Sequence, residues 1–269
     1  MRERVKKFSA MTSLNLSAML LAAGRGERMR PLTDVTPKPL LQVQGRALLD
    51  WHMAALQRDG VRDVVVNTAW LGVQIPAHLD ATWPAQDMQL QYSHEQEDFG
   101  HALETAGGIA RALPMLGEAF WLAAGDVFAP DFVFDAQIAQ RFAQSDDLAH
   151  IWMVPNPEHH PKGDFGWVES TPGSGTGRAV NLPPADVARD ARPRLTYSTI
   201  ALLKADLFRA PYCAIAPGNP QGEAAPLVVL LRKAMDAGRC AASLYTGRWT
   251  DVGTPERLAA LNQRAAQNA

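Results

Sequence analysis

The chain has 269 residues, 47% of them apolar, and a formal charge of −2. That length suits one large α/β domain or two small ones, and the apolar share is ample for a core. The charge argues against a general nucleic-acid binder, which is usually basic, and no apolar run approaches the roughly 20 residues of a membrane span.

In chain order, Met1-Arg-Glu-Arg-Val-Lys-Lys-Phe8 is basic like the start of a signal peptide, but residues 9–17 are too polar to continue one. Residues 1–13 are expected to form a disordered extension, with Met11 a second candidate start. Residues 17–23 are an apolar run ending in glycine, which predicts a buried strand. Apolar residues at helical spacing over 48–56 predict a helix that Gly60 ends, and Asp63-Val-Val-Val-Asn-Thr68 predicts a second strand. Residues 70–79 read as a helix, although Pro76 complicates its end, and 88–93 alternate as a half-buried strand does. A helix over 105–113 precedes a buried strand over 120–126 that ends in an acid. A helix over 132–143 and a strand over 149–154 follow. Strands alternating with helices predict a doubly wound, mixed, mostly parallel sheet with helices on both faces, a Rossmann-like α/β fold.

Beyond Pro155 the pattern changes. Strands are expected over 165–169 and 195–203, separated by a Gly/Pro-rich surface excursion over 172–193. Residues 225–237 predict a helix closed by Gly238, and 242–251 a strand. Thr254-Pro-Glu opens the last helix with a cap, a proline at the first helical position and an acid in the first turn. The two cysteines, Cys213 and Cys240, match no metal or redox spacing and read as free thiols in a reducing cytoplasm.

The chemistry concentrates after the first strand. Gly24 and Gly26 let a backbone approach an anion closely, and Arg25, Arg28, Arg30 and Lys38 bring four cations to the same neighbourhood. No Gly-x-x-x-x-Gly-Lys-Ser/Thr string exists, so this is not a P-loop. Met29 occupies the third glycine position of the dinucleotide fingerprint, which disfavours a dehydrogenase. Asp126 and Asp251 each follow an apolar strand, and ligands of doubly wound folds sit beyond the carboxyl ends of strands. Mg²⁺ is held by one or two carboxylates plus substrate phosphates, so two such acids facing a cationic loop suit a metal–nucleoside triphosphate. The plainer alternative is that each acid caps a following helix.

With these residues in view, the chain resembles the nucleoside triphosphate–sugar-1-phosphate nucleotidyltransferases. Gly24-Arg-Gly-Glu-Arg-Met-Arg-Pro-Leu-Thr33 looks like that family's signature loop, and Pro37-Lys38-Pro39 looks like its signature lysine. Ala124-Gly-Asp126 and Trp249-Thr-Asp-Val-Gly-Thr254 look like its two metal-aspartate motifs. Within the family the likeness is closest to the bacterial N-acetylmuramate-1-phosphate uridylyltransferases of peptidoglycan recycling. Asn67-Thr-Ala-Trp-Leu-Gly72, Leu103-Glu-Thr-Ala-Gly-Gly108, Asn156-Pro-Glu-His-His160 and Gly163-Asp-Phe165 carry that likeness.

The resemblance implies a single domain over 14–269, with a nucleotide-binding half over 14–154 and a sugar-binding half over 155–269. It implies a cytoplasmic enzyme that joins a nucleoside triphosphate, UTP foremost, to a sugar-1-phosphate with Mg²⁺ and releases pyrophosphate. Arg28 would meet the β- and γ-phosphates, Lys38 the α-phosphate and the sugar phosphate, and Asp126 and Asp251 the Mg²⁺. Ala22, Ala23, Gly24, Gly26, Glu27, Gly107 and Gly108 would meet the nucleotide. Glu104, Asn156, Gly166, Glu169, Thr199 and Trp249 would meet the sugar, although Glu104 also reads as a helix-start acid and Trp249 as core. His159 and His160 read as loop residues without a third metal ligand.

Three departures from the family pattern stand out. No Glu-Lys-Pro follows Glu169, Asp98–His101 look like a small insertion, and Thr199 stands where a glycine is common. Arg178 and Arg194 are candidates for a carboxylate on the sugar. Mannose-1-phosphate with GTP, or glucose-1-phosphate with dTTP or UTP, are the alternative substrate pairs. A sensor that has lost catalysis is the non-enzyme alternative, and loss of Arg28, Lys38 or either aspartate would mark it. All four are present.

Overall fold

The structure, a computed structural model, describes residues 16–182 and 192–267, with side chains described to residue 263. The extension expected over residues 1–13 lies outside the described residues.

β1 (Ser17–Ala22) buries Ala18, Met19 and Leu20, as a strand covered on both faces must. Three single 3₁₀ turns, Glu27–Met29, Leu32–Asp34 and Lys38–Leu40, carry the loop that follows. A short ribbon, β2 (Gln42–Val43) with β3 (Arg46–Ala47), leads into α1 (Leu48–Arg58). β4 (Asp63–Thr68), α2 (Gln74–Thr82) and β5 (Gln89–His94) come next. The predicted helix at residue 70 starts later, and Pro76 falls in its first turn, where a missing N–H breaks no helical bond.

A single turn α3 (Glu95–Phe99) precedes α4 (Glu104–Ala112), β6 (Ala119–Ala124) and the two-residue β7 (Val127–Phe128). The helix expected over 132–143 is α5 (Ala136–Gln144), because the Asp135 carboxylate accepts from the N–H groups of Gln137 and Ile138 and caps it there. Phe132 and Phe134 are drawn instead into a buried aromatic cluster on Trp121, with ring centroids 6.3 and 5.1 Å away. β8 (Ala149–Val154), β9 (Phe165–Glu169), β10 (Thr176–Val180) and β11 (Arg194–Lys204) follow. β10 corrects the expectation of a plain surface excursion over 172–193. It pairs with β9, and the excursion's residues 183–191 lie outside the described ones. α6 (Leu227–Asp236), β12 (Cys240–Leu244), β13 (Thr250–Asp251) and α7 (Pro255–Gln267) complete the chain.

The main sheet of the described residues has nine strands in the order β5-β4-β1-β6-β11-β8-β12-β10-β9. β1 pairs in parallel with β4 and β6, whereas β11 runs antiparallel between β6 and β8. The sheet is therefore mixed and not mostly parallel as expected, because a strand from the second half of the chain is threaded antiparallel between two from the first and β9 and β10 also pair antiparallel. One face packs Met19, Phe120 and Leu122 against α4 and α6, and the other packs Leu20 and Trp121 against α1 and α5. The alternation along β1 and β6 is the period-2 pattern of a strand. A smaller cluster joins Met29, Val43, Leu48, Phe128, Val252 and Leu261. It ties the glycine loop to the β7–β13 ribbon and α7. The strand expected over 242–251 is thus two pieces: β12 stays in the main sheet, while β13 leaves it to pair with β7. Among the described residues, no helix is long and apolar enough to cross a membrane.

One half-buried histidine on β8 makes stability depend on pH. His150 stacks on Trp152 with centroids 4.6 Å apart, and its Nε2 lies 2.8 Å from Ser243 Oγ. Burial pushes its pKa from 6.5 down to about 4. Between those values the unfolded chain binds a proton that the folded chain does not. This contribution is complete above pH 6.5 and is lost as the pH falls towards 4. The loss is at most about 3 kcal/mol. Urea unfolding of the wild type and His150→Gln between pH 7 and pH 4 should show the flatter profile in the variant; parallel profiles would contradict this account.

Candidate active site

The loop after β1 is shaped by its glycines and braced by its own charges. Gly26 has φ 68°, and a Cβ there would meet Thr33 Cγ2 at 3.0 Å and Lys38 Cβ at 3.2 Å. Backbone conformation and space both demand glycine. Thr33 Oγ1 donates to Gly26 O at 2.9 Å and closes the loop on itself. Arg25 donates to Thr33 O and to Asp34 Oδ1, both at 2.9 Å, and lies 3.7 Å over the Trp70 ring. Arg30 Nε is 2.9 Å from the same Asp34 oxygen. The Arg25 guanidinium, with Arg30, holds the Asp34 carboxyl below the usual carboxylate range. The expectation of four converging cations is therefore corrected: Arg25 and Arg30 brace the loop. Arg28 is exposed and has no side-chain hydrogen bond or ion pair among the described residues, and Lys38 is buried at 8% exposure.

Two cavities meet at this point. The larger, about 470 Å³, runs along the ends of β1 and β6 to α4 and α6. The smaller, about 220 Å³, is enclosed by the glycine loop, Arg28 and Gly253. Gly24, Lys38 and Asp126 line both. Lys38 Nζ donates to Asp126 Oδ2 at 2.5 Å, so the junction is marked by one ion pair.

The two aspartates are brought together by the ribbon, not by the ends of two sheet strands as the sequence suggested. Val252 N donates to Asp126 O at 2.9 Å, and Asp251 pairs with Val127. Gly125 allows the turn: a Cβ there would lie 2.9 Å from Leu21 O. His52, 1% exposed on α1, anchors the same turn through Nε2 and Val127 O, 2.9 Å apart. Burial pushes its pKa down to about 4, so the ring is neutral near pH 7 and Nε2 is the donor. Sequence reasoning missed His52, because a lone histidine on an apolar helix face carries no signal of what it touches.

Asp251 Oδ2 is paired with Arg257 Nη1, which also donates to Asp251 O at 3.0 Å and to His159 Nε2 at 2.9 Å. An arginine always donates, so His159 Nε2 is an acceptor here. In the tautomer with Nε2 unprotonated it does not serve Asp251 Oδ1, which lies 2.8 Å away. Oδ1 is left buried with no hydrogen bond. His160 lies elsewhere, 3.1 Å from Asp164.

The larger cavity is lined by Ala22, Ala23 and Gly24 as expected, with Glu104 and Thr199. Glu104 has φ 55° and Thr199 φ 62°, so two non-glycine residues are held in the left-handed region at the same cleft. Strain of this kind gathers at functional sites. Thr199 sits in the bulge of β11 between Tyr197 and Ala201. Asn67 is the hinge of the wall: its Oδ1 accepts from Ala22 N at 2.8 Å and its Nδ2 donates to Glu95 Oε1 at 2.6 Å. Glu95 is fully buried and also accepts from Leu103 N, and burial raises its pKa.

Several expected contacts go elsewhere. A Cβ on Gly107 would lie 2.3 Å from Glu223 O, and one on Gly108 2.5 Å from Glu95 Oε1. These glycines let α4 pack against its neighbours and do not face the cleft. Gly166 faces Val180, whose Cγ2 would be 2.6 Å from a Cβ. Both Glu169 oxygens are taken by the N–H groups of Gly173 and Gly175 in the β9–β10 turn. Asn156 is consumed by Pro161 O, Arg194 O and Thr196 Oγ1. Trp249 Nε1 donates to Ser198 O at 3.0 Å and braces the bulge from outside. Arg194 donates to the carbonyls of Lys162, Gly163 and Asp164, Arg178 pairs with Asp147, and neither lines the larger cavity. Glu27 lines the smaller cavity.

The mixed α/β sheet presents a glycine loop, a buried lysine and Asp126 where the two cavities meet, with Asp251 on the adjoining ribbon. The nucleotidyl transferase family matches this chain over residues 17–184, and the chain belongs to it. It is 40% identical to the N-acetylmuramate alpha-1-phosphate uridylyltransferase of Neisseria meningitidis serogroup B, over 90% of this chain and 95% of that protein. It is 38% identical to the protein of the same name from Caulobacter vibrioides, over 50% of this chain and 52% of that one. A UDP-glucose pyrophosphorylase from Acinetobacter baumanii shares the fold with a TM-score of 0.69, 16% identity and 94% of each chain covered.

Proposed function

We propose that the protein transfers a uridylyl group from UTP to N-acetylmuramate α-1-phosphate, yielding UDP-N-acetylmuramate and pyrophosphate, in the cytoplasm and in peptidoglycan recycling. The observation that carries the reading is the Lys38–Asp126 pair at the junction of the two cavities. In this arrangement the reacting α-phosphate lies at the junction, the β- and γ-phosphates in the smaller cavity with Arg28, and nucleoside and sugar in the larger one. Lys38 steadies the α-phosphate and the sugar phosphate, whose mutual repulsion otherwise opposes their approach. The sugar phosphate oxygen attacks phosphorus, the bond to the pyrophosphate oxygen breaks, and Arg28 draws charge from the leaving group. No side chain need act as a nucleophile.

Mg²⁺ is the cofactor we assign. Asp126 and the bare, buried Oδ1 of Asp251 are suitable oxygen donors for a hard cation that takes its other ligands from phosphate and water. Among the described residues no group of three or more His, Cys, Asp and Glu side chains forms an all-protein cage. When bound, Mg²⁺ supplies charge neutralisation at the α-phosphate. The choice of N-acetylmuramate rests on the two uridylyltransferase relatives and on the apolar wall of Leu122, Leu227 and Leu231, which suits acetyl and lactyl methyl groups. Pyrophosphate release with Mg²⁺ across five nucleoside triphosphates and a panel of sugar-1-phosphates tests the reading. Turnover confined to UTP with N-acetylmuramate-1-phosphate is expected; a preference for another pair would replace the substrates, and no release with any pair would end the reading.

A further inference from the structure

Each aspartate proposed for the metal already has its own cation. Asp126 holds Lys38 at 2.5 Å, and Asp251 holds Arg257. Arg257 is well placed to stay: its side chain is 19% exposed, and its guanidinium lies against Gly253, where a Cβ would be 3.0 Å from Nη2. Gly253 is also a wall of the smaller cavity, so this charge stands directly behind the phosphate lobe. Arg28 adds a third cation with no internal partner among the described residues. With Glu27, which also lines the smaller cavity, three carboxylates face these three cations, so no carboxylate there is left without a cation until a triphosphate arrives.

We infer that Arg257 is a counter-ion that keeps Asp251 from holding a free divalent cation, so that metal is accepted at this carboxylate only with the nucleotide. The inference rests on the proposed metal role of Asp251. A guanidinium a few ångströms from a divalent cation repels it strongly in a partly buried site. A triphosphate reverses that balance. Without Arg257, both Asp251 oxygens and the acceptor nitrogen of His159, 2.8 Å from Oδ1, would face the same space. Such a set is a better metal site than the native one.

Titration of Mn²⁺ without nucleotide, followed by the electron paramagnetic resonance signal of the free ion, tests this. The Arg257→Leu protein should bind Mn²⁺ at least about ten-fold more tightly than the wild type. The gain should vanish when Asp251→Asn is added, and Arg257→Lys, which keeps the charge, should behave as the wild type does. Damage to the fold would weaken metal binding, so a gain cannot come from a merely structural role. Arg257→Gln, uncharged but still a donor, serves if the leucine variant does not fold. Equal Mn²⁺ affinity in wild type and the uncharged variants, or tighter binding by the wild type, would overturn the inference. The titration contains no UTP or sugar, so it fails or succeeds separately from the pyrophosphate assay.

Discussion

Asp126→Asn is expected to lower turnover by about three orders of magnitude while leaving the protein folded. The main-chain bonds that hold the residue are untouched, because Val252 N donates to Asp126 O and His52 anchors the neighbouring Val127 O. An asparagine oxygen can still accept from Lys38, which limits the cost of leaving that buried ammonium without its anion, and Asp126 itself is 40% exposed. The negative charge at the junction of the two cavities is what disappears. Lys38 then has no anion beside it, and the proposed cation loses one of its two protein oxygens. Rates of pyrophosphate release and a melting curve on the same preparation check both halves of the expectation. A full-rate Asp126→Asn enzyme would remove this carboxylate from the chemistry. Asp251→Asn should show a comparable loss of turnover.

Legibility in the sequence followed from how local each signal was. β1, β6 and β8 are buried runs, so their apolar content alone reveals them. The glycine loop, Lys38 and Asp126 were legible because the chain itself places them beside strand ends. Asp251 was legible as an acid near the site, but its geometry was not. It lies on a two-residue strand whose partner Val127 is far away in sequence, and no periodicity develops over two residues. β10 was hidden because Gly173 and Gly175 precede it and Gly177 lies within it, and its pairing with β9 overrides the weak strand preference of glycine.

The sugar half was the least legible part. Asn156, Gly166 and Glu169 look like ligand-binding residues in a string of letters, yet each is spent on holding loops and strands together. Polar residues in loops bind backbone as readily as they bind ligands, and only the three-dimensional partner decides between the two. Gly107 and Gly108 lie against Glu223 O and Glu95 Oε1 for a related reason: a glycine needed for close packing and one needed for close approach of a ligand are identical on paper.

The glycine loop separates two arginines that composition treats alike, and their variants should diverge. Arg28→Ala is expected to reduce turnover by about 10²–10³-fold, the usual loss for one preorganised donor facing developing charge. Arg28 has no internal partner to lose among the described residues, so the melting temperature should stay near that of the wild type. Arg25→Ala should do the reverse. It would break the bonds to Thr33 O and Asp34 and remove the guanidinium from the Trp70 ring, lowering the melting temperature and loosening the loop that presents Arg28. Its turnover would fall less than that of Arg28→Ala, and much of its loss would appear as a raised KM for the triphosphate. Steady-state kinetics of both variants, with each substrate varied in turn, distinguish these outcomes. An Arg28→Ala effect confined to the KM of the sugar phosphate would move that residue out of the smaller cavity's chemistry, and the leaving pyrophosphate would then be left to Lys38, which lines the same cavity.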